Sequence, residues 1–406
     1  MVGETSKFVQ EIWIKAQLGM PSSLRHVVVP CLHEAKEITR LLFMPCLPVY
    51  QMQGQGQEGP LTVTYIGLDY AKPFLKCILF PGGAAEQPVG RVFWGRCGEV
   101  VDLSPSDIVI VEGTRYLVRT LPCQDALVLP QFVYHILDVR GDWQDVKRRF
   151  NKSVRHELRL TQKHGYQYEV SYDDRDFEAF YRHMYLPTIE LRHGALVSPM
   201  SFSRAYQHFR HGLLFFVKRD GQRVCGSVCY FDDDTVHFMI LGVLDGSQEL
   251  MKEGAVGALY YLRVRWANER GYKAVNFLGS DPFLGDSLFR FRRKWGTAVS
   301  VPPHLHRQVW IGIRRNTPSV ARFLKENPFI VVDGDGNLHG HVVVDDSRNV
   351  APEVVEEWKK RYVTPGMSDL LIRSVGSFAA ESADGRGPDL VIPISAGATL
   401  GDGDSG

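Results

Sequence analysis

The sequence predicts an α+β (α/β) fold: a mixed central sheet with flanking helices. Three observations carry this expectation. Leu213–Lys218 and Arg223–Tyr230 read as strands joined by Asp220-Gly221, a strong hairpin signal. Thr235–Leu244 is a near-continuous apolar run, as expected of a central strand. A helical pattern over Ala255–Arg270 then stops at Gly271 and leads into the strand Lys273–Leu278, which makes one right-handed parallel crossover.

Taken in order, residues 1–60 carry helical patterns near 5–18 and 32–44, then a polar, glycine-rich loop at 51–60. Strands are expected at Leu61–Ile66, Phe74–Phe80, Arg91–Trp94 and Asp107–Val111, separated by glycine and proline turns. Pro122–Asp138 is an extended crossing segment. A strongly charged helix runs from Trp143 to about His164, with Val146, Phe150, Val154, Leu158 and Thr161 on one buried face. Gly165 ends it, and the strand Tyr168–Tyr172 follows. Phe177–Leu186 is expected to be a helix stopped by Pro187. Beyond the crossover come a loop, a short basic helix and a strand at Gln308–Ile313. A helix at about Pro318–Glu326 leads to a strand pair that turns at Asp333-Gly-Asp-Gly-Asn337. That turn is similar to a calcium loop but has no Glu at the required distance. A helix at Glu353–Tyr362 closes the fold. The expected division is 1–140, an N-terminal half; 141–345, the principal domain; 346–363, a terminal helix; and 364–406, a flexible tail.

A chain of 406 residues, 44% hydrophobic and 23% charged, suits a soluble enzyme of two domains or two halves. The formal net charge of +1 advertises no DNA partner. Seven cysteines with no Cys-x-x-Cys pair argue against a disulfide scaffold or a zinc site and fit a cytoplasmic location. Cys225 and Cys229 face the same side of a strand but stand too far apart along it to pair. The N-terminus lacks the pattern of a signal peptide, and no apolar stretch reaches the roughly 20 residues of a membrane span.

The candidate site is Gly279–Gly296, a loop at the C-terminal end of a strand, where α/β sheets place ligands. It holds two carboxylates, Asp281 and Asp286. Arg290, Arg292, Arg293 and Lys294 then follow among Phe289, Phe291 and Trp295. Acids and bases beside a glycine-bounded loop suit a polar, anionic substrate, and an ordinary loop leading into a surface helix remains the alternative.

The strand order resembles the GNAT acyltransferase fold, and the motifs sharpen the likeness. Phe291-Arg-Arg-Lys-Trp-Gly296 is similar to the Phe-Lys-x-x-Phe-Gly signature of the FemAB-like and CelD-like acyltransferases. Leu129-Pro-Gln-Phe-Val133, Trp143 with its basic helix, Tyr181-x-x-x-Tyr185-x-Pro187 and Arg192-His-Gly194 resemble that group in the same order. The resemblance covers roughly 120–315. It implies a GNAT fold, with a tandem arrangement whose first half is degenerate. The implied activity is acyl, acetyl or aminoacyl transfer to an amine of a sugar, peptide or cell-envelope precursor.

Residue roles follow from the resemblance. The donor would lie between the strands Thr235–Leu244 and Lys273–Leu278. Leu244, Gly254, Gly257 and Ala258 would hold the pyrophosphate of acetyl-CoA or another acyl-CoA at a helix start. The loop before that helix departs from the family's fingerprint, because Asp245, Glu249 and Glu253 oppose a single Lys252. Aminoacyl-tRNA is therefore a competing donor, and tRNA a possible partner. Arg292 takes the place of the family lysine; it can stabilise an oxyanion or bind phosphate but cannot act as a base. Asp281 and Asp286 are candidate bases, or else a turn former before Pro282 and a helix cap. His193 is a candidate acid or base or a packing residue. Arg192, Tyr185, Phe291 and Arg155 are candidate substrate contacts, Arg155 on a basic face over 147–163 that attracts phosphate. His237, Tyr260 and Tyr261 are placed near the cleft, with core packing the stronger reading. No metal is expected. Direct transfer in a ternary complex is favoured, because no serine or cysteine has an activating partner visible in the sequence. A non-catalytic binding protein that keeps the fold is the remaining alternative.

Overall fold

The computed structural model describes residues 45–122, 126–193, 199–302, 307–378 and 390–394, with isolated positions before residue 45. The helix expected over 5–18 lies outside the described residues; within 32–44, positions 32, 33, 35 and 39 are helical.

Three mixed sheets organise the described residues. β1 (Cys46–Gly56), β2 (Gly59–Ile66), β3 (Ala84–Phe93), β4 (Ile108–Thr114) and β5 (Ala126–Pro130) belong to the first. β6 (Val133–Asp138), β7 (Gln167–Ser171), β8 (Gly212–Arg219), β9 (Gln222–Asp232), β10 (Thr235–Val243), β11 (Ala274–Ser280) and β12 (Ala298–Ser300) form the second. β13 (Arg307–Ile313) returns to the first sheet, whose order is β3-β1-β2-β4-β13-β5; the second runs β12-β6-β11-β10-β9-β8-β7.

The two sheets share one plan and exchange strands. In each, an antiparallel hairpin leads to a parallel pair, β2 with β4 and β10 with β11. Each half then ends in two strands. The first stays at its own sheet's edge, as β5 and β12 do. The second crosses over: β6 pairs with β11, and β13 pairs with β4. This is a tandem arrangement. It also moves Gln308–Ile313 out of the sheet in which the sequence order placed it. β13 is apolar on both faces, with Val309, Ile311 and Ile313 in one cluster and Trp310 in another. Such a strand is stable only between two neighbours.

Several local expectations change. Phe74–Phe80 is not a strand; Lys72–Leu79 is a helix with Pro in its first turn and Leu75 and Leu79 buried one turn apart. Short apolar runs do not separate the two states by pattern alone. The 143–164 helix is broken into Trp143–Arg148 and Val154–Lys163, because the Asn151 amide donates to the Lys294 carbonyl at 2.8 Å. Pro187 does not stop its helix. Asp174–Phe180 continues through a π turn at Tyr181–Tyr185 into Leu186–His193, and Pro187, which has no amide to donate, follows directly on that π turn. The expected tail beyond 364 contains β16 (Asp369–Ser374) and β17 (Leu390–Pro393). With β14 (Phe329–Val332) and β15 (Leu338–Val344) they make the third sheet. Its core of Leu370, Ile372, Val342 and Ile330 was hidden in short, weakly periodic segments.

The second sheet buries both faces. On one side Val236, Phe238, Val275 and Phe277 pack under the helix Ala255–Glu269 with Trp295. On the other, Leu214, Phe216, Val228 and Ile240 meet Phe177, Phe180, Tyr185 and Phe209. What both layers leave uncovered is the region where β10 and β11 separate.

Candidate functional site

β10 and β11 pair only over Thr235–His237 and Ala274–Asn276, although both strands continue beyond. Each also changes register with its outer neighbour at this point, β10 after Phe238 and β11 after Asn276. Leu278 lies in the bend with φ of 65°, and its amide donates to Asn276 Oδ1 at 2.8 Å. A leucine held in the left-handed region costs roughly 1 kcal/mol, strain of the kind that marks functional sites. The parted strands border a cavity of about 1120 Å³, lined among others by His237, Met239, Leu278, Ser280, Asp281 and Arg292.

Asp281 and Arg292 thus meet at one cavity. Burial, with the Asp286 carboxylate as a second cause, pushes Asp281 up to about 6. The Arg292 guanidinium donates through Nη1 to the Gly279 carbonyl, while its buried Nε has no hydrogen-bond partner among the described residues. Ser280 directly precedes Asp281 in sequence, and its Oγ lies 2.8 Å from His135 Nε2. His135 is fully buried on β6, and its Nδ1 lies 3.2 Å from Thr297 Oγ1. Burial, and next the Arg292 charge, hold this imidazole well below the usual histidine range, so it is neutral at neutral pH.

The other expected site residues are placed as follows. Asp286 does not line the cavity; it caps the helix Ser287–Arg293, accepting from the Phe289 amide at 2.8 Å, and acts on Asp281 through charge. Tyr185 is buried, and its hydroxyl accepts from the Met200 amide at 2.8 Å. Phe291 packs beside Tyr260 and Trp295, with the Lys294 ammonium 4.2 Å from its ring centre. Tyr260 is core, on the face away from the cavity. Arg155 and Arg192 are exposed, the latter on the helix Leu186–His193. The side chain of His193 lies outside the described residues. His237 lines the cavity, stacked on Tyr230 at 4.3 Å.

The glycines expected to hold a pyrophosphate serve a different purpose. Gly254 starts the helix Ala255–Glu269 with φ of 91°, and a Cβ there would meet Leu160 at 2.8 Å. A Cβ on Gly257 would collide with Glu157 Oε2. Ala258 is fully buried. The helix Val154–Lys163 lies across this helix start and sets its own carboxylate at the positive end of the helix dipole. Lys294 fixes that carboxylate, Nζ to Glu157 Oε1 at 2.6 Å. A pyrophosphate here would meet an anion and displace packed side chains. The residues present do not fit coenzyme A in the expected manner, and Leu244, in the turn Leu244–Gly246, borders a different and smaller pocket with Phe180 and Met184.

Sequence reasoning missed His135, Ser280 and His208. His208 lines the same cavity, 8% exposed, with neither ring nitrogen partnered among the described residues; burial, then Arg204, lowers it to about 4. One signal was present: His135 shares strand parity with the buried Val133 and Leu137, where a polar residue demands a partner.

Comparison with known proteins agrees at the level of the domain. A family model described as "Acetyltransferase (GNAT) domain" matches residues 148–289. No curated protein matches at a significant level. Among solved structures, the chain is similar to FemX, at 13% identity and a TM-score of 0.37, covering 66% of this chain and 89% of that one. It is also similar to L-PGS from Bacillus licheniformis, at 13% identity and 0.33, covering 67% and 87%. A probable N-acyltransferase from Enterococcus faecalis V583 matches at 10% identity and 0.27, covering 73% and 64%. Scores this low add no weight. The family match and the parallel pair that opens onto a cavity lined by a carboxylate and a guanidinium agree: residues 148–289 form a domain similar to the GNAT acetyltransferases.

Proposed function

We propose that this protein is an N-acyltransferase that moves an acyl or aminoacyl group onto an amine of a sugar, peptide or cell-envelope precursor. One observation carries the reading: Asp281 and Arg292 line the same cavity where β10 and β11 part. An amine acceptor is an ammonium ion in water and must lose a proton before it attacks. Asp281, with its carboxyl near 6, is ionised at neutral pH yet basic enough to take that proton. The unpartnered Arg292 Nε offers a hydrogen bond to the oxygen that becomes negative when the donor carbonyl is attacked.

The filled helix start favours an aminoacyl ester, such as aminoacyl-tRNA, over acyl-CoA held in the usual way. The exposed cations Arg155, Arg159 and Lys163 on the helix Val154–Lys163, with Lys152 just before it, suit a phosphate-rich donor. A cytoplasmic location fits free thiols at Cys31, Cys46, Cys77, Cys97, Cys225 and Cys229. No helix among the described residues is long and apolar enough to cross a membrane.

The test is a product assay by mass spectrometry. Protein is incubated with acetyl-CoA or with an aminoacyl-tRNA pool, each with amino-sugar and peptide acceptors. Amide product from the tRNA pool, absent in Arg292→Ala, supports the reading. Efficient product from acetyl-CoA sinks the tRNA preference, and no product from any donor sinks the activity.

A further inference from the structure

We propose that Asn276 reads the acceptor: its Nδ2 donates a hydrogen bond to a carbonyl or carboxylate oxygen that the acceptor carries at a distance from its amine. The inference rests on the acyltransferase reading and names a chemical feature of that reaction's acceptor.

Asn276 stands on the last rung before the strands part, paired with His237 on β10 and with Ile136 on β6. It is 2% exposed. Its Oδ1 accepts the Leu278 amide at 2.8 Å, a side-chain turn that holds the left-handed backbone of Leu278. That bond also fixes which end of the carboxamide is oxygen and which is nitrogen. The turn uses only the oxygen. Nδ2 keeps two hydrogens and has no hydrogen-bond partner among the described residues. Neither strand neighbour takes them: Ile136 is apolar, and the His237 ring is stacked on Tyr230. Unlike Arg292 Nε, Asn276 Nδ2 is not sealed inside protein; it opens onto the cavity that Asn276 lines. Buried amide donors are normally satisfied, and one left open to a cavity is available to a ligand.

The direction of approach assigns this oxygen to the acceptor. Val275 and Phe277 face the helix Ala255–Glu269, so Asn276 between them faces the other side of the sheet. The cationic helix Val154–Lys163 packs on the start of Ala255–Glu269 and therefore lies across the sheet from the cavity. A phosphate-rich donor drawn to those cations enters the gap from that side, which leaves the body of the cavity to the acceptor. Asn276 is three residues along β11 from Gly279, whose carbonyl holds Arg292, so the oxygen it reads lies within about 10 Å of that point.

Arg204, on the helix Phe202–Arg210, lines the same cavity, and its guanidinium has no hydrogen bond or ion pair among the described residues. Its charge acts on Tyr134 and His208, two further lining residues. The turn at Asp232–Asp234 borders the cavity too, but there Lys273 Nζ holds Asp234 Oδ2 at 2.6 Å. A carboxylate on the acceptor would gain from both Asn276 and Arg204, and an amide carbonyl from Asn276 alone.

The experiment measures binding by ligand-observed NMR on the full chain, without donor. The probes are 6-aminohexanoate, 6-aminohexanamide and hexylamine, which carry a carboxylate, an amide carbonyl and no oxygen. Wild-type protein should bind the amide about 5-fold and the carboxylate about 30-fold more tightly than hexylamine. Asn276→Asp keeps the oxygen that Leu278 uses and removes the donor. It should erase the amide's advantage, weaken the carboxylate at least 10-fold and leave hexylamine bound at least as tightly. Arg204→Met should weaken the carboxylate alone; equal binding of carboxylate and amide in wild type would instead identify a neutral carbonyl as the group read. Hexylamine bound as tightly as the other two, or no probe bound, overturns the proposal, and this comparison needs no variant should Asn276→Asp fail to fold. An Asn276→Asp protein that folds and keeps the wild-type preference overturns it as well. Amide product in the acceptor assay together with binding indifferent to Asn276 overturns this assignment alone and leaves the acyltransferase reading standing.

Discussion

Asp281→Asn should make the protein more stable and much less active. Raising an aspartate from 3.8 to about 6 disfavours its charged form by about 3 kcal/mol, at 1.36 kcal/mol per pH unit. Asp281 is partly exposed, and solvent screening reduces the expected effect to about 1–2 kcal/mol. The sign follows from proton binding. Between pH 3.8 and about 6 the folded chain holds a proton that the unfolded chain has lost, so stability falls as pH rises through that window and stays lower above it. Asparagine cannot ionise and escapes that loss. At pH 7.5, urea unfolding of Asp281→Asn should therefore show a gain of about 1–2 kcal/mol, narrowing to about a third of that at pH 4.5. Turnover should drop by about 100-fold or more. A variant less stable than wild type at pH 7.5, or a gap that does not change with pH, would refute the assignment of a strained, ionised carboxylate.

Other outcomes follow from the same geometry. Gly257→Ala should cost about 2–4 kcal/mol in urea unfolding, because its methyl displaces Glu157 from Lys294; a change below about 0.5 kcal/mol would mean that the helix start is open. Arg292→Ala should abolish product formation while the melting temperature stays within a few degrees of wild type, since it forfeits one hydrogen bond of about 1–2 kcal/mol. Trp295→Ala should destabilise by about 3–5 kcal/mol, because the fully buried indole fills the space between Phe150, Tyr260 and Phe291.

Both cavity-lining members of the expected catalytic set, Asp281 and Arg292, were legible because they stand within one short segment at a strand's end. Local sequence also carried the hairpin at Asp220-Gly221, the crossover helix and its parallel strand. It misjudged segments whose state depends on distant partners. Phe74–Phe80 became a helix, and the stretch beyond 364 gained β16 from pairing with β15 and β17 from pairing with β16. The glycines at 254 and 257 carried a signal that close approach was required, but not what approaches.

What the sequence alone determined is the class of fold, the position of the parted strands, and a carboxylate and a guanidinium at their end. These depend on hydrophobic period, turn residues and spacing within about 60 residues, all of which are local. Tertiary structure decided that β6 and β13 change places between the sheets, that Glu157 takes the expected anion seat, and that His135 reaches Ser280. Each of these joins residues far apart in the chain through burial and shape complementarity. One-dimensional pattern states that a side chain must be buried but not beside which neighbour.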